Sequence, residues 1–453
     1  MKNRETHLKL IPIMAGLVPA IFFSDGEVSR PRNTVHSSIN FAVSLTGICK
    51  DARVPQPSQF QPTASMTDRF SITDAPAEFL SAPLRLTIDL GAIADNWRDM
   101  ARRSGKARAA AVVKADAYGL GIEDVGQTLY HAGARDFFVA VPAEGATLRP
   151  YAPEARIFVL SGIWPGQEDT FFDNDLVPVI ASEEQLAFWM ALLSERGPYP
   201  CALHVDTGFN RLGLPLADAL ALADDVSRPS SLDPVLVMSH LACGDDPTST
   251  MNRQQLEKFQ QLSAAFEGID CSLSASAGIL LGPDYHFDLT RPGIALYGGE
   301  ALSGVENPMR PVVKAEARIL QIREAKAGET VSYGASHVLQ RDSRLAVASI
   351  GYADGYLRNL SGSGIALRGQ GLAGAEGVIS GHRVPVIGRV TMDLTVFDVT
   401  DLPEKAVRSG DYIELFGAAM PIDDVARAAG SIGYELLTGL GLRYERLYLE
   451  GEI

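Results

Sequence analysis

The chain has 453 residues, a formal charge of −15 at pH 7 and 46% hydrophobic residues. Such a length and composition are typical of an ordinary soluble protein of two or three domains with a sizeable core. The acidic balance argues against nucleic acid or an anionic membrane as a partner, since no concentrated basic stripe offsets it. Four scattered cysteines, without metal-ligand or disulfide spacing, predict reduced thiols in a reducing compartment such as the cytoplasm.

The first 80 residues differ in composition from the rest of the chain. Lys2, Arg4 and Lys9 precede an apolar run over residues 10–23, which is the charge order of a signal peptide. Prolines and a glycine interrupt this run, and it is too short to span a bilayer. Residues 24–65 are polar and lack a sustained period. We therefore predict that residues 1–80 are a disordered or misassigned extension and that the functional chain starts near Met66; an export signal is the alternative.

Short β-rich runs then alternate with helical stretches. The predicted strands cover residues 108–114, 136–141, 156–162, 177–182, 199–206, 235–241, 270–276 and 287–298. The predicted helices cover residues 122–132, 182–196, 215–227 and 252–268. This alternation predicts an α/β fold with a parallel, TIM-like (β/α)8 barrel over residues 84–310, in which chemistry gathers at the carboxyl ends of the strands.

Closely spaced strand patterns replace the helical ones in the last part of the chain. The predicted strands there cover residues 312–325, 330–336, 344–351, 365–369, 383–391, 394–399 and 412–417, with one helix near 423–429. Residues 311–453 are therefore predicted to form a mainly β C-terminal domain. Such a domain could cover a barrel mouth, its own or a partner's, and exclude water from it.

Lys114 is the cation on which the first predicted strand ends. A lysine in this position is partly desolvated, so its pKa falls and a neutral, nucleophilic amine becomes available. The alternative is a lysine that only marks the strand end and reaches into water. Gly119 and Gly121 follow, and they let the backbone pass close to a bulky group, for which an anion is the best candidate.

The sequence Val-Val-Lys-Ala-Asp-Ala-Tyr-Gly-Leu-Gly over residues 112–121 resembles the pyridoxal-phosphate lysine motif of alanine racemases. Further segments resemble the same family in the same order, at residues 204–213, 238–245, 274–276, 288–298, 330–335, 350–355 and 388–393. The resemblance extends from about residue 84 to residue 453. It implies a pyridoxal-phosphate-dependent amino-acid racemase in which Lys114 carries the cofactor as an aldimine.

The resemblance also implies which residues bind the cofactor. They are Lys114, Tyr118, His240, Ser276, Arg291, Gly293, Ile294 and Tyr434. Ser276 and the backbone N–H groups of Gly293 and Ile294 would hold the phosphate, as loops after the last two strands do in many barrels. Arg291 would face the pyridine nitrogen. Because an arginine holds its own protons too tightly to share one, the ring nitrogen would stay neutral, which favours racemisation over transamination.

Two bases on opposite faces of the substrate are implied for the proton transfer. Lys114 would serve one face, and Tyr333, reached across the interface of a homodimer, the other. Arg211 and the backbone N–H of Met392 would bind the substrate carboxylate. His204 stands where many family members have a carbamylated lysine that braces the arginine, so we expect Arg211 to be positioned differently. Taken alone, a loop arginine and a strand tyrosine are the ordinary alternatives.

The resemblance implies a narrow entrance. Asp245, Tyr352 and Arg358, together with Tyr434, would limit substrate side chains to about a methyl group. The expected function is interconversion of L-alanine and D-alanine in the cytoplasm, which supplies D-alanine for peptidoglycan. A racemase of broader specificity, acting on serine or other amino acids, is the first alternative. A non-catalytic pyridoxal-phosphate carrier is the second, although such carriers lack the β domain and Tyr333.

Overall fold

The computed structural model describes residues 75–225, 232–367, 370–371 and 374–451. All of them belong to one compact unit over residues 63–453. Of the predicted extension over residues 1–80, residues 1–74 lie outside the described residues. Its last four residues belong to the helix Ala77–Ser81, in which Phe79 is buried. Within the described ranges, no helix is long and apolar enough to cross a membrane.

Eight short parallel strands form a barrel, as the sequence predicts. In chain order they are Arg108–Ala109 continued by Ala111–Val112, Asp136–Val139, Arg156–Val159, Leu176–Ile180, Tyr199–Asp206, Leu232–Met238, Asp270–Ser272 and Leu289–Thr290. The first seven pair with their sequence neighbours. The eighth closes the ring, because Leu289–Thr290 pairs with Arg108–Ala109 on one side and the N–H of Arg291 donates to the carbonyl of Ser274 on the other, at 2.8 Å.

Helices connect and cover the barrel strands. Their bounds are Leu90–Arg103, Ile122–Ala132, Pro142–Leu148, Glu168–Asp173, Glu183–Arg196, Leu216–Asp224, Thr250–Ala265 and Ser276–Leu281. Ser182 caps one of them, since its hydroxyl accepts the N–H of Gln185 at 3.3 Å, as the capping box predicts. Because helices shield the outer face, strands such as Leu176–Ile180 are buried along their whole length.

The seventh and eighth strands end earlier than the sequence predicts. The chain leaves the sheet after Asp270–Ser272 and after Leu289–Thr290. In the eighth strand, the apolar residues that the prediction included are buried instead in the 3-10 turn Ile294–Tyr297, and in the seventh the helix Ser276–Leu281 begins at the last predicted residue. Hydrophobicity alone cannot separate a buried turn from a buried strand, so the predicted strands were too long.

The C-terminal domain is an antiparallel β barrel. Its ring runs through Ser343–Ala348, Thr395–Asp398, His382–Ile387, Glu376–Ile379, Tyr412–Phe416 and Val313–Ala325, and the last of these pairs again with the first. Two outer strands, Leu84–Asp89 and Glu445–Leu449, continue the sheet from Val313–Ala325. The structure therefore places residues 84–89, which the sequence assigned to the start of the first barrel, in the sheet of the C-terminal domain.

Smaller elements complete this domain. Short strand pairs are Thr330–Val331 with His337–Val338 and Ala366–Leu367 with Gln370–Gly371. The predicted strand over residues 330–336 is cut short because Ser332 has φ +66° and a 3-10 turn, Tyr333–Ala335, follows it. Two helices, Ile422–Ala428 and Gly433–Thr438, lie near the end of the chain, and the sequence predicted only the first.

The loop after the first barrel strand packs against the C-terminal domain. A Cβ at Gly119 would overlap the carbonyl oxygen of Leu437, and a Cβ at Gly121 would overlap the hydroxyl of Tyr448. That hydroxyl donates to the carbonyl of Leu120 at 3.0 Å. The interpretation that these glycines face an anion is therefore wrong. They allow the two domains to approach closely, which fixes the helix Gly433–Thr438 beside the mouth of the barrel.

Candidate active site

Lys114 follows the strand Ala111–Val112 after one residue, Val113, and begins one turn of left-handed helix. Residues 115–118 all have φ between +53° and +57°. Such a conformation costs an L-residue roughly 1–2 kcal/mol, so neighbouring contacts must stabilise the turn. The N–H of Ala117 donates to the carbonyl of Val113, and the N–H of Gly121 to that of Asp116, both at 2.9 Å. The turn brings Lys114 and Tyr118, the lysine and the tyrosine of the predicted motif over residues 112–121, to one cavity.

A cavity of about 890 Å³ lies between the carboxyl ends of the barrel strands and the helix Gly433–Thr438. Ten of the residues predicted from the sequence line it, namely Lys114, Tyr118, Arg211, His240, Asp245, Ser276, Arg291, Gly293, Ile294 and Tyr434. His204 lines it as well. Residues that are up to 320 positions apart in the chain therefore meet at one site.

The cavity favours the neutral form of the Lys114 amine. Burial is the largest effect that lowers the pKa of Lys114, and the guanidinium groups of Arg211 and Arg291 lower it further. The carboxylate of Glu144 acts in the opposite direction and raises this pKa. The net shift is downward, so a larger fraction of the amine is unprotonated near neutral pH than for a lysine in water.

Arg291 is buried among backbone carbonyls. Its Nη1 donates to the carbonyl and to the hydroxyl of Ser272, and its Nη2 donates to the carbonyl of Ser239 at 2.6 Å. Burial lowers the pKa of Arg291 to about 9, so the side chain is still a cation at neutral pH. A buried guanidinium that backbone carbonyls hold in place suits a role as a permanent donor rather than a proton carrier.

His240 lies against this guanidinium, with 3.4 Å between its Nδ1 and Nη2 of Arg291. Burial, and next the charge of Arg291, hold the pKa of His240 well below 6.5. The imidazole is therefore neutral. Because arginine only donates hydrogen bonds, Nδ1 must accept, and the ring proton resides on Nε2.

Hydroxyl and backbone N–H groups gather at another part of the cavity. The hydroxyl of Ser276 accepts the N–H of Gly293 at 2.8 Å and that of Ala295 at 3.3 Å. A Cβ at Gly293 would overlap the hydroxyl of Tyr118, so that hydroxyl lies directly over the Gly293 backbone. The ring of Tyr434 approaches that of Tyr118 to 5.9 Å between centroids. The hydroxyls of Ser276, Tyr118 and Tyr434 form a donor set of the kind that holds a phosphate.

Arg211 is positioned by an aromatic ring. Its Cζ lies 4.0 Å from the centroid of Phe209, within the range of a cation–π contact. The Phe209 ring in turn lies 5.7 Å from the imidazole of His240. Asp206 fixes the loop, because its carboxylate accepts the backbone N–H groups of Gly208, Phe209 and Asn210 at 2.7, 2.8 and 2.9 Å. The sequence predicted a different brace for Arg211 without identifying it, and Phe209 makes that contact here.

His204, which stands where the resemblance implies a lysine that is carbamylated in many family members, is buried and neutral. Burial is the main cause that lowers the pKa of His204 to about 4, and the charges of Arg291 and Arg211 act in the same direction. A neutral imidazole cannot supply a negative charge to Arg211. It therefore adds no positive charge to those of Arg211 and Arg291.

Four predicted site residues do not line this cavity in the single chain. Tyr333, Tyr352, Arg358 and Met392 are all among the described residues, and they gather in the C-terminal domain around the segment 388–394. The N–H of Tyr352 donates to the carbonyl of residue 391, and the hydroxyl of Ser361 joins the carbonyl of Arg358 to the N–H of residue 390. Tyr333, Tyr352 and Met392 expose 73%, 43% and 53% of their surfaces.

Two residues of the site were missed by sequence reasoning. Phe209 stands two residues before Arg211, but no pattern in the sequence marks its ring as the partner of that arginine. Glu144 lies in the first turn of the helix Pro142–Leu148, directly after the second barrel strand, and its carboxylate accepts the N–H of Ala115 at 2.7 Å. A carboxylate in the first turn of a helix at the carboxyl end of a barrel strand was the available signal.

Two protein-family models match the chain, one in each domain. The family model "Alanine racemase, N-terminal domain" matches residues 88–301, and "Alanine racemase, C-terminal domain" matches residues 312–448. The "Alanine racemase, biosynthetic" of Agrobacterium fabrum (strain C58) is 76% identical over 390 residues, which are 85% of this chain and 99% of the relative. The "Alanine racemase, catabolic" of the same strain is 42% identical over 367 residues, 81% of this chain and 92% of the relative.

Comparison with solved structures gives the same answer. The crystal structure of alanine racemase from Bartonella henselae, described as containing covalently bound pyridoxal phosphate, superposes with a TM-score of 0.75 at 36% sequence identity. The match covers 81% of this chain and 100% of that one. The resemblance, the fold class and the enzyme class predicted from the sequence are thereby confirmed. The chain belongs to the alanine racemase family of pyridoxal-phosphate-dependent racemases.

Proposed function

We propose that this chain interconverts L-alanine and D-alanine with pyridoxal 5'-phosphate attached to Lys114. The observation that carries the proposal is the shared cavity, which joins a desolvated lysine amine, a set of phosphate donors and a buried arginine. The sequence relatives and the Bartonella structure support the same reaction.

The residues of the cavity fit the cofactor. Ser276, Tyr118 and Tyr434 with the backbone N–H groups of Gly293 and Ile294 would hold the phosphate, and Arg291 would donate to the pyridine nitrogen. Bound pyridoxal phosphate supplies an electron sink that makes the α-proton of the amino acid acidic. An arginine donor leaves the ring nitrogen unprotonated, which limits this sink and favours return of the proton to the α-carbon.

The chain's own residues then orient the substrate and move its proton. Arg211, held over Phe209, would bind the substrate carboxylate through its guanidinium. The amine of Lys114 would take or return the α-proton on one face, because its lowered pKa makes the neutral form accessible. We propose that Lys114 acts on D-alanine and Tyr333 on L-alanine, which is the assignment that membership of the family implies.

A second copy of the chain would complete the site. Tyr333, Tyr352 and Met392 are exposed and grouped on the C-terminal domain, away from the cavity of their own chain. In a homodimer they would reach the cavity of the partner, where Tyr333 would supply the second base and the backbone N–H of Met392 would bind the substrate carboxylate. Tyr352 and Arg358 of one chain, with Asp245 and Tyr434 of the other, would form the entrance.

The biological role that we propose is biosynthetic. The chain shares 76% identity with the Agrobacterium racemase named biosynthetic and 42% with the one named catabolic from the same strain. D-alanine made in the cytoplasm would enter peptidoglycan. The alternative of a pyridoxal-phosphate carrier is disfavoured, because the C-terminal domain that carries Tyr333 is present.

Subunit complementation tests the two-base arrangement across the dimer. Lys114→Ala and Tyr333→Phe should each abolish racemisation of both alanine enantiomers. When the two inactive variants are mixed and reassembled, each mixed dimer contains one intact site, so about one quarter of wild-type activity should return under random pairing. Activity in Tyr333→Phe alone, or no recovery in mixed dimers whose formation is verified, would contradict the proposal. Turnover of L-serine beside L-alanine distinguishes the broad-specificity alternative.

A further inference from the structure

Glu144 joins two strand ends beside Lys114. One oxygen of its carboxylate, Oε1, accepts the N–H of Ala115 at 2.7 Å, and the other, Oε2, accepts the N–H of Ala140 at 2.7 Å. Ala115 follows Lys114, and Ala140 follows the strand Asp136–Val139. The carboxylate therefore ties the first barrel strand to the second at the edge where the cavity opens.

The bond to Ala115 is made at a strained point of the chain. Ala115 is the first of four consecutive residues with positive φ, none of which is glycine. A left-handed turn of L-residues is unfavourable by itself and persists only when its surroundings hold it. Charge-assisted hydrogen bonds are among the strongest that a backbone N–H can make. The peptide group that Glu144 holds is the one that links Lys114 to the turn.

The rest of the turn is held at other points. The side chain of Asp116 accepts the N–H of Ile122 at 2.8 Å, and Tyr118 is buried against Tyr297, with 4.5 Å between ring centroids. These contacts fix the far end of the turn. Glu144 is the side chain that fixes its near end, where the backbone of Lys114 enters it.

We propose that Glu144 is a positioning residue for Lys114, whose carboxylate holds the left-handed turn and so directs the lysine amine into the cavity. The proposal rests on the proposed function only for the chemical role of the Lys114 amine. Glu144 also supplies negative charge near an amine that otherwise faces Arg211 and Arg291. It thereby acts on Lys114 through the backbone and through its charge without contacting the substrate.

Hydrogen exchange of the cofactor-free protein tests the backbone role. In Glu144→Ala, amides of residues 114–121 should exchange at least about tenfold faster, since both charge-assisted bonds are lost. Glu144→Gln keeps one acceptor oxygen and should show a smaller acceleration. Glu168→Gln is the matched control, because Glu168 also lies in the first turn of a barrel helix and accepts a loop N–H, that of Gly166 at 2.8 Å. It should leave residues 114–121 unchanged.

The rate at which added pyridoxal phosphate attaches to the protein, followed by absorbance, tests the role toward Lys114. Attachment should slow by about tenfold in Glu144→Ala and less in Glu144→Gln, and remain normal in Glu168→Gln.

Unchanged exchange of residues 114–121 in both Glu144 variants, or faster exchange spread over the whole chain, would overturn the proposal. If Glu144→Ala does not fold, Glu144→Gln decides. A wild-type protein that takes up no pyridoxal phosphate would refute the proposed function and leave the exchange result interpretable.

Discussion

The guanidinium of Arg211 lies over the ring of Phe209, with its Cζ 4.0 Å from the ring centroid. The ring is oriented by its own backbone, whose N–H donates to the carboxylate of Asp206 at 2.8 Å. This contact has a specific consequence in a chain that has His204 where a carbamylated lysine is common in the family. An aromatic face can orient a guanidinium without contributing a negative charge, which leaves the full positive charge available for a substrate carboxylate.

Replacing Phe209 by leucine should weaken substrate binding. The variant loses the aromatic face beneath Arg211, so KM for L-alanine should rise about fivefold to tenfold while kcat changes less. Phe209→Tyr keeps the ring and is the matched control, with a KM near that of the wild type. Equal KM values for the leucine and tyrosine variants would show that the ring does not position Arg211.

His204 should make the protein less stable at acidic pH. Burial lowers the pKa of His204 to about 4 from 6.5, so the unfolded chain binds the extra proton between these values and stability falls as pH decreases through that window. From about pH 7.5 to about pH 5, this histidine alone should cost about 2 kcal/mol of unfolding free energy. His204→Gln should reduce the loss of stability on acidification, measured by urea unfolding of the cofactor-free protein.

The control for this pH effect is His131→Gln, since His131 is exposed. It should change the pH dependence of unfolding less than His204→Gln does. His240, whose pKa burial also lowers, should keep part of the acid sensitivity in His204→Gln. The same pH slope in wild type and His204→Gln would mean that residue 204 is not a buried neutral histidine.

Ion pairs at the amino-terminal end of the barrel should contribute to the free energy of unfolding without affecting catalysis. There, the buried carboxylate of Asp136 pairs with Arg156 at 2.6 Å and Arg108 at 3.4 Å, and both arginines also pair with Asp270. Asp136→Asn should destabilise the protein by about 2 kcal/mol and lower its unfolding temperature, because both arginines are only partly exposed. The kcat for alanine should not change, since the cavity lies at the opposite end of the strands.

Asp401→Asn is the comparison for this prediction, because Asp401 pairs with Arg341 at the surface and its side chain is 80% exposed. It should shift the unfolding temperature little. An equal, small shift for Asp136→Asn would indicate that the ion pairs across the barrel end contribute no more than a surface pair.

Gly293 and Tyr118 should show energetic coupling in cofactor binding. A Cβ at Gly293 would overlap the Tyr118 hydroxyl, so Gly293→Ala should raise the Kd for pyridoxal phosphate at least about tenfold. Tyr118→Phe removes that hydroxyl and should cost less. The double variant should bind about as well as Tyr118→Phe, because the closest overlap, that with the hydroxyl oxygen, is gone. Additive losses in a fluorescence titration of the four proteins would contradict this steric account.

Local sequence patterns predicted much of the fold. The strand Tyr199–Asp206 and the helix Ile122–Ala132 have the predicted bounds, and Ser182 caps its helix as expected. These elements follow from periodicity and capping chemistry, which depend on neighbours in sequence. Lys114 was also placed at the end of its strand, because an apolar run stops there.

Features that depend on distant residues were not predictable in this way. The strand Leu84–Asp89 pairs with Glu445–Leu449, more than 350 positions away, so no local pattern assigns it to the C-terminal sheet. The left-handed turn after Lys114 contains two alanines and a tyrosine, which have no intrinsic preference for positive φ. The contact of Glu144 with Ala115 arises only when two barrel strands lie side by side.

Borohydride reduction followed by peptide mapping tests the central claim most directly. The purified protein, loaded with pyridoxal phosphate and reduced, should carry one stable pyridoxyl group, located by mass spectrometry on Lys114. Label on a different lysine, or no label after reduction of protein that has been supplied with the cofactor, would contradict the assignment of this cavity as the racemase site.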